Sequence, residues 1–423
     1  LIKSSKIYGA DEILKEIRSG DKLVFSYVHS GYNQLLEAFA EKLPEKVDLF
    51  IPFLRFRKED LPKIDILCEK SKIRILTPLP IPEFSKFITE GKLIVLNLTW
   101  SQIPNFIANK IAVGRVWIFC EVAPPENNSC NTGHTAFFPL NLYKECIVVG
   151  IINQNMPRTF GDTRIPIKFF DYFIEIPQPK LPLYSEIEFT ETTKKVAKYV
   201  SELIEDGSTI QLGVGDIAPI LVKYYLVEKE NLKIHTGMFN QFFKELIEKN
   251  VIKEVCRAHI AFPYTIDFYN WLNHNSMVEM KTIDYIYNTS IMANIPRFVA
   301  INSALYVDLQ GQVVVTTINS RIISGIGGLL DFARGSKMSK WGKSIIALES
   351  TFKKTGESRI KPSIMPGDTV SLTCYDVDYI VSEYGVAKIS GSSRREIALR
   401  LIEIASPDHR KSLYEEARKL NLI

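Results

Sequence analysis

Apolar runs of strand length recur along this chain, and most are separated by helical or polar stretches. The first half opens with an amphipathic helical pattern at Asp11 to Arg18, a turn at Gly20-Asp21 and a strand at Lys22 to Val28. Asn33 to Leu43 then sets Leu35, Leu36, Phe39 and Leu43 on one helical face. Further apolar runs follow at Val47 to Phe53, Ile73 to Leu76, Leu93 to Leu98, Val116 to Val122 and Cys146 to Ile152. This alternation predicts an α/β layer around a largely parallel sheet.

The rhythm restarts after a proline-rich segment, Ile176 to Leu183, with Pro177, Pro179 and Pro182. Proline fixes extended backbone and suits a crossing between packed units. Two domains are therefore expected, 1–183 and 184–423. In the second, Thr190 to Ile204 reads as a helix and Thr209 to Leu212 as a strand entering Gly213-Val214-Gly215-Asp216-Ile217. A helix through Tyr225, a strand at Lys233 to His235 and a helix from Phe239 to Lys249 follow. Ligands of open α/β sheets sit at the carboxyl ends of strands, where these turns fall.

Composition narrows the function classes. With 46% apolar and 24% charged residues the 423-residue chain is of globular type. Its formal charge of +4, from 52 basic and 48 acidic side chains, gives no argument for a nucleic-acid partner. No apolar run reaches the roughly 18 residues of a membrane span. No signal-peptide pattern follows Leu1, where a few preceding residues are expected to be missing, so a cytoplasmic protein is expected. Six dispersed cysteines and six dispersed histidines offer no C-x-x-C or H-E-x-x-H set, so no metal site is expected.

Two glycine-rich turns stand out. Gly213-x-Gly215, between strand and helix, exposes amides suited to an anion or to close approach of a ligand. It falls short of G-x-G-x-x-G because Ala218 takes the last place, and the P-loop lysine is absent. That shortfall also weighs against a Rossmann oxidoreductase. Alone, the turn is as consistent with a plain tight turn as with a binding loop. In Ser324 to Phe332, Gly325, Gly327 and Gly328 remove side chains where something must come close, and their amides suit an oxyanion. Arg334, Lys337, Lys340 and Lys343 follow and suit phosphates, or else form a solvated basic face.

Taken together these segments resemble the acetyl-CoA hydrolase/transferase family, which includes the 4-hydroxybutyrate and butyrate–acetate CoA-transferases. The resemblance runs through Ile210 to Ile217, Ile301 to Ala304, Asp308 to Gln312, Ser324 to Arg334, Gly342 to Leu348 and Asp378 to Ala387. In the first half it includes Asn153 to Asp162. It implies two tandem related open-sheet domains, Rossmann-like in build, with acyl-CoA bound between them. It also implies CoA as a substrate rather than a permanent cofactor, a small carboxylate as the second partner, and a glutamate that attacks the thioester. The homodimer is left open. Carried over residue by residue, the CoA contacts fall on Gly213, Val214, Gly215, Asp216, Ile217, Leu305 and Lys340, and the oxyanion hole on Gly327 and Gly328.

One departure bears on the chemistry. Where the family reads Ile-His-Ser/Thr-Glu-Met-Phe, this chain reads Ile234-His235-Thr236-Gly237-Met238-Phe239, and glycine has no side chain to form an acyl anhydride. In the first half, Gly31-Tyr32-Asn33 replaces the usual Gly-Glu-Pro, and Pro124 to Cys130 departs from a regular Pro-Pro-Asp pattern. Three readings follow. The chain remains a transferase or hydrolase using another carboxylate, such as Glu279, or an activated water; or it binds acyl-CoA without turnover; or Gly237 is an introduced Glu→Gly change.

Overall fold

The computed structural model describes residues 7–52, 62–70, 73–175, 180–184, 189–213 and 215–423. Two compact units emerge. The first holds Leu1–Glu186 and Arg257–Ile286, and the second Ile187–Cys256 and Tyr287–Ile423. The first break thus falls close to the proline-rich segment. The segment 257–286 belongs with the first unit although the chain around it shows no proline or glycine cluster to mark a crossing.

Unit 1 is built on an eight-stranded sheet. Its strands are β1 (Ile7–Tyr8), β2 (Lys22–Phe25), β3 (Asp48–Phe50), β4 (Arg74–Thr77), β5 (Leu93–Val95), β6 (Val116–Val122), β7 (Ile147–Ile152) and β8 (Tyr172–Glu175). They lie in the order β1-β8-β7-β6-β2-β3-β4-β5 with parallel pairings throughout. All seven positions of β6 are buried, which is why its sequence, Val-Trp-Ile-Phe-Cys-Glu-Val, lacks the alternation of a half-exposed strand. Helix α1 (Asn33–Lys42) buries Leu35, Leu36 and Phe39 as anticipated from spacing, together with Ala40, while Leu43 caps it and is half-buried. Phe25 stacks on Phe119 at 4.7 Å within this core.

The proline-rich stretch is only partly described, 176–179 lying outside the described residues. Its carboxyl end is not a free linker. Leu181 packs with Ala123, Met156 and Tyr269, and Tyr269 Oη donates to the Pro182 carbonyl at 2.7 Å. Its apolar side chains find a core to cover.

Unit 2 carries strands β9 (Thr209–Leu212), β10 (Lys233–Asn240), β11 (Phe298–Ser303), β12 (Lys343–Ala347), β13 (Tyr379–Ser382) and β14 (Gly385–Lys388), ordered β14-β13-β12-β11-β9-β10. All pair in parallel except β14, which returns antiparallel on β13. Helix α2 (Glu191–Glu202) starts where Thr190 Oγ1 accepts from the Thr193 amide at 3.1 Å, and it buries Val196, Ala197 and Val200. Helix α3 (Ile217–Tyr224) follows β9, and α4 (Leu329–Met338) follows the second glycine run.

Strand β10 departs from expectation. It continues to Asn240, past the expected end at His235, and the next helix begins only at Phe243. Phe239 is fully buried within the strand and packs on Phe243 at 5.3 Å. This packing favours the extended form over the helix read from the local pattern. Gly237 therefore lies inside a strand rather than in the turn after one.

Candidate functional site

The carboxyl edge of the unit 2 sheet gathers several of the residues singled out from sequence. Leaving β9, the Gly213 amide donates to Ile301 O of β11 at 2.8 Å. A Cβ on Gly213 would meet Asn302 Oδ1 at 2.5 Å, and one on Gly215, whose φ is +146°, would meet Ser303 Oγ at 3.0 Å. Close approach to β11 thus favours glycine at 213, and the backbone angle favours it at 215. Gln211 and Asn302 exchange two side-chain amide hydrogen bonds of 3.3 and 3.1 Å that brace β9 against β11. Asp216 is the exposed residue before α3, and its side chain makes no capping bond. Val214 lies outside the described residues.

Gly237 belongs to the same edge. Its neighbour Thr236 donates through Oγ1 to Leu212 O at 3.4 Å, so position 237 is level with the start of the Gly213 loop. Leu305 follows two residues after Ser303; its amide donates to Val314 O at 2.8 Å and its carbonyl accepts from Arg359 Nε at 2.7 Å. Gly327, with φ +57°, and Gly328 lead into α4, where Gly328 is the N-cap. Tyr287 connects the two glycine positions. Its ring is 4% exposed, and it stands against both Gly237 and Gly328 and packs on Phe332 at 5.0 Å. Burial, followed by the charge of Asp331, pushes its hydroxyl pKa far up, so it is protonated and a hydrogen-bond donor at neutral pH.

Lys340 is not brought to this edge. Its carbonyl accepts from the Arg297 amide at 2.8 Å, before the start of β11, while the Gly213 amide binds near the end of that strand. Its ammonium lies 4.2 Å over the Trp341 ring. An open pocket of about 520 Å³, lined by Arg297, Trp341, Lys343 and Lys388 among others, occupies that amino edge. The basic stretch expected to meet phosphates is largely engaged internally. Arg334 pairs with Asp376 at 3.3 Å, Lys337 with Asp378 at 2.7 Å and Lys343 with Glu205 at 2.7 Å.

Glu279 belongs to unit 1, on a short strand, Val278–Met280, in parallel register with Phe160–Gly161. Its carboxylate pairs with Arg257 at 3.4 Å, and both side chains are about a third or more exposed. That is the arrangement of a solvated ion pair.

Two features had no sequence signal. At the carboxyl edge of the unit 1 sheet, Glu121 is 1% exposed and accepts from Tyr27 Oη, from Asn153 Nδ2 at 2.6 Å and from His29 Nε2 at 3.4 Å. The Gly31 amide donates to His29 Nδ1 at 3.1 Å, which leaves the ring proton on Nε2, facing the carboxylate. Burial would raise the Glu121 pKa, but His29, Tyr27 and Asn153 outweigh it and hold the carboxyl below its ordinary range. The second feature is Glu349, 8% exposed just beyond β12. Its Oε1 has no hydrogen-bond partner among the described residues, although Lys353 Nζ stands 3.8 Å away. Burial raises its pKa. Both are lone glutamates in apolar runs, and only the fold reveals their surroundings.

Comparison with known proteins gives this edge a context. A family model, the acetyl-CoA hydrolase/transferase C-terminal domain, matches residues 265–417. The chain is 40% identical over 280 residues to 4-hydroxybutyrate coenzyme A transferase of Clostridium kluyveri, a match covering 64% of this chain and 65% of that protein, just under two thirds of its length. It is 30% identical over 441 residues to butyryl-CoA:acetate CoA-transferase of Anaerostipes caccae, covering 99% and 97% of the two chains. The crystal structure of RipA from Yersinia pestis superposes with a TM-score of 0.85 at 25% identity, over 99% of this chain and 98% of that one. With a parallel α/β sheet in each unit, glycine loops at the carboxyl edge of unit 2 and a relative matched end to end, the chain belongs to the acetyl-CoA hydrolase/transferase family.

Proposed function

We propose that this protein is an acyl-CoA-utilising enzyme that moves CoA between a small acyl-CoA and a carboxylate such as acetate, or hydrolyses the thioester. The observation that carries the reading is the cradle formed by Gly213, Gly215, Asn302 and Ser303 at the carboxyl edge of unit 2. There, glycine brings backbone against β11, at the strand ends where α/β sheets receive ligands. In this reading Gly213 to Ile217 and the Leu305 region hold CoA, and Gly327 and Gly328 offer amides to the thioester oxygen. CoA enters as a substrate rather than a resident cofactor, and the reaction runs in the cytoplasm. The alternative of a silent acyl-CoA binder finds no support among the relatives, which include named CoA-transferases and acetyl-CoA hydrolases.

The missing glutamate at Gly237 limits how the reaction proceeds. Glu279, paired with Arg257, keeps at most a supporting part. An acceptor oxygen attacking the thioester directly needs no carboxylate at 237.

The test is product analysis by mass spectrometry after incubation with a panel of acyl-CoAs, each with and without acetate. Acetyl-CoA formed only when acetate is present establishes transfer, and free CoA without exchange establishes hydrolysis. If neither appears for any thioester, the reading falls.

A further inference from the structure

Gly237 and Gly328 are far apart in sequence, yet the same side chain forbids a Cβ at both. A Cβ on Gly237 would lie 2.5 Å from Tyr287 Oη, 3.2 Å from its Cζ and 3.4 Å from Phe332 Cε2. A Cβ on Gly328 would run into the Tyr287 ring at Cε1 and Cδ1. The phenol thus occupies the first atoms of the path that a longer side chain at 237 would take, with its oxygen nearest the backbone there. Its ring lies along the glycine that caps α4. A carboxylate nucleophile at 237 and Tyr287 in this position exclude each other.

The chemistry of the two groups differs. A glutamate at 237 would be an anion able to form a covalent bond to the acyl carbon. The Tyr287 hydroxyl stays protonated, because burial and the nearby Asp331 disfavour the phenolate. It is therefore a poor nucleophile and a sound hydrogen-bond donor. A donor beside the amides at the start of α4 suits an oxygen that gains negative charge in the transition state.

We propose that Tyr287 is a catalytic residue of this site, donating a hydrogen bond to the thioester carbonyl oxygen while water attacks the carbonyl carbon directly. The inference rests on the acyl-CoA reading above and specifies it as hydrolysis. The water oxygen forms the new bond to carbon, and the carbon–sulfur bond breaks with its electron pair leaving on CoA as thiolate. The proton lost by water passes to that thiolate or to solvent. Products are the free acid and CoA, and no acyl or CoA group is carried by the protein.

The experiment uses the full chain with acetyl-, propionyl- and butyryl-CoA. Expected are release of free CoA, one atom of ¹⁸O in the acid when the solvent is H₂¹⁸O, and an unchanged intact-protein mass in samples quenched during turnover. In Tyr287→Phe the kcat should fall tenfold or more with KM within about twofold, since a transition-state donor is lost while substrate binding remains. A protein mass increased by an acyl or CoA group overturns the proposal without recourse to any variant. A folded Tyr287→Phe enzyme with native kcat overturns it as well. Absence of CoA release and of exchange in the native protein instead overturns the functional reading, and this inference with it.

Discussion

The opposition between Gly237 and Tyr287 has a stability consequence that a single methyl group can expose. Gly237 is not in the left-handed region, so alanine fits its backbone. On backbone grounds alone Gly237→Ala should stabilise the fold by about 0.4–1 kcal/mol, through a less flexible unfolded chain. The new Cβ, however, would stand 2.5 Å from Tyr287 Oη, about an ångström inside ordinary contact, and Tyr287 is buried against Phe332. Overpacking of this kind costs about 1–3 kcal/mol, so the clash wins and the variant is expected to be destabilised. Removing the hydroxyl removes the nearest atom and leaves Cζ at 3.2 Å, a distance that small shifts accommodate. In a Tyr287→Phe background, Gly237→Ala should therefore be close to neutral. The assay is a double-mutant cycle by urea unfolding at pH 7.5, and a coupling of about 1 kcal/mol or more is expected. Additivity of the two substitutions within about 0.3 kcal/mol would refute the steric argument.

Other sites give independent tests. His134 and His259 are buried, and burial lowers each pKa to about 4, so both stay neutral in the fold while the unfolded chain takes up protons below about pH 6.5. Stability should be full above that pH and fall towards pH 4, by roughly 3 kcal/mol for each histidine, and His134→Phe should flatten the slope in urea unfolding followed from pH 7.5 to 4.5. Glu121→Gln turns one carboxylate oxygen into a donor facing the donors of Tyr27, His29 or Asn153. A loss of about 1–3 kcal/mol is expected by the same unfolding assay, and an unchanged midpoint would count against the network. Gly213→Ala forces a Cβ onto Asn302 and should weaken CoA binding tenfold or more by calorimetry, with native affinity as the opposing result.

Much of the fold was legible because a strand buried on both faces is apolar at nearly every position, Glu121 being the exception that its partners satisfy. Val116 to Val122 and Cys146 to Ile152 announce themselves in this way, and Asn33 to Leu43 does so by its helical spacing. The glycine turns were legible for a related reason. Backbone that must approach another strand cannot carry a side chain, as Gly213 and Gly215 show against Asn302 and Ser303. Less was legible where neighbours in space decide the outcome. The local pattern put a helix start at Phe239, but packing of Phe239 on Phe243 keeps that stretch in the strand.

By itself, then, the sequence determined the alternation of layers, the glycine loops and the absence of a carboxylate at position 237, since each is a property of consecutive residues. Tertiary structure alone decided what faces that position. Tyr287 belongs to no motif, and it reaches Gly237 and Gly328 only because separate elements converge there. The same holds for Lys340, which the basic run Arg334 to Lys343 suggests beside a ligand. The direction of β11 and β12 sets it at the amino edge, because residues before a parallel strand and residues after it lie at opposite ends of the sheet.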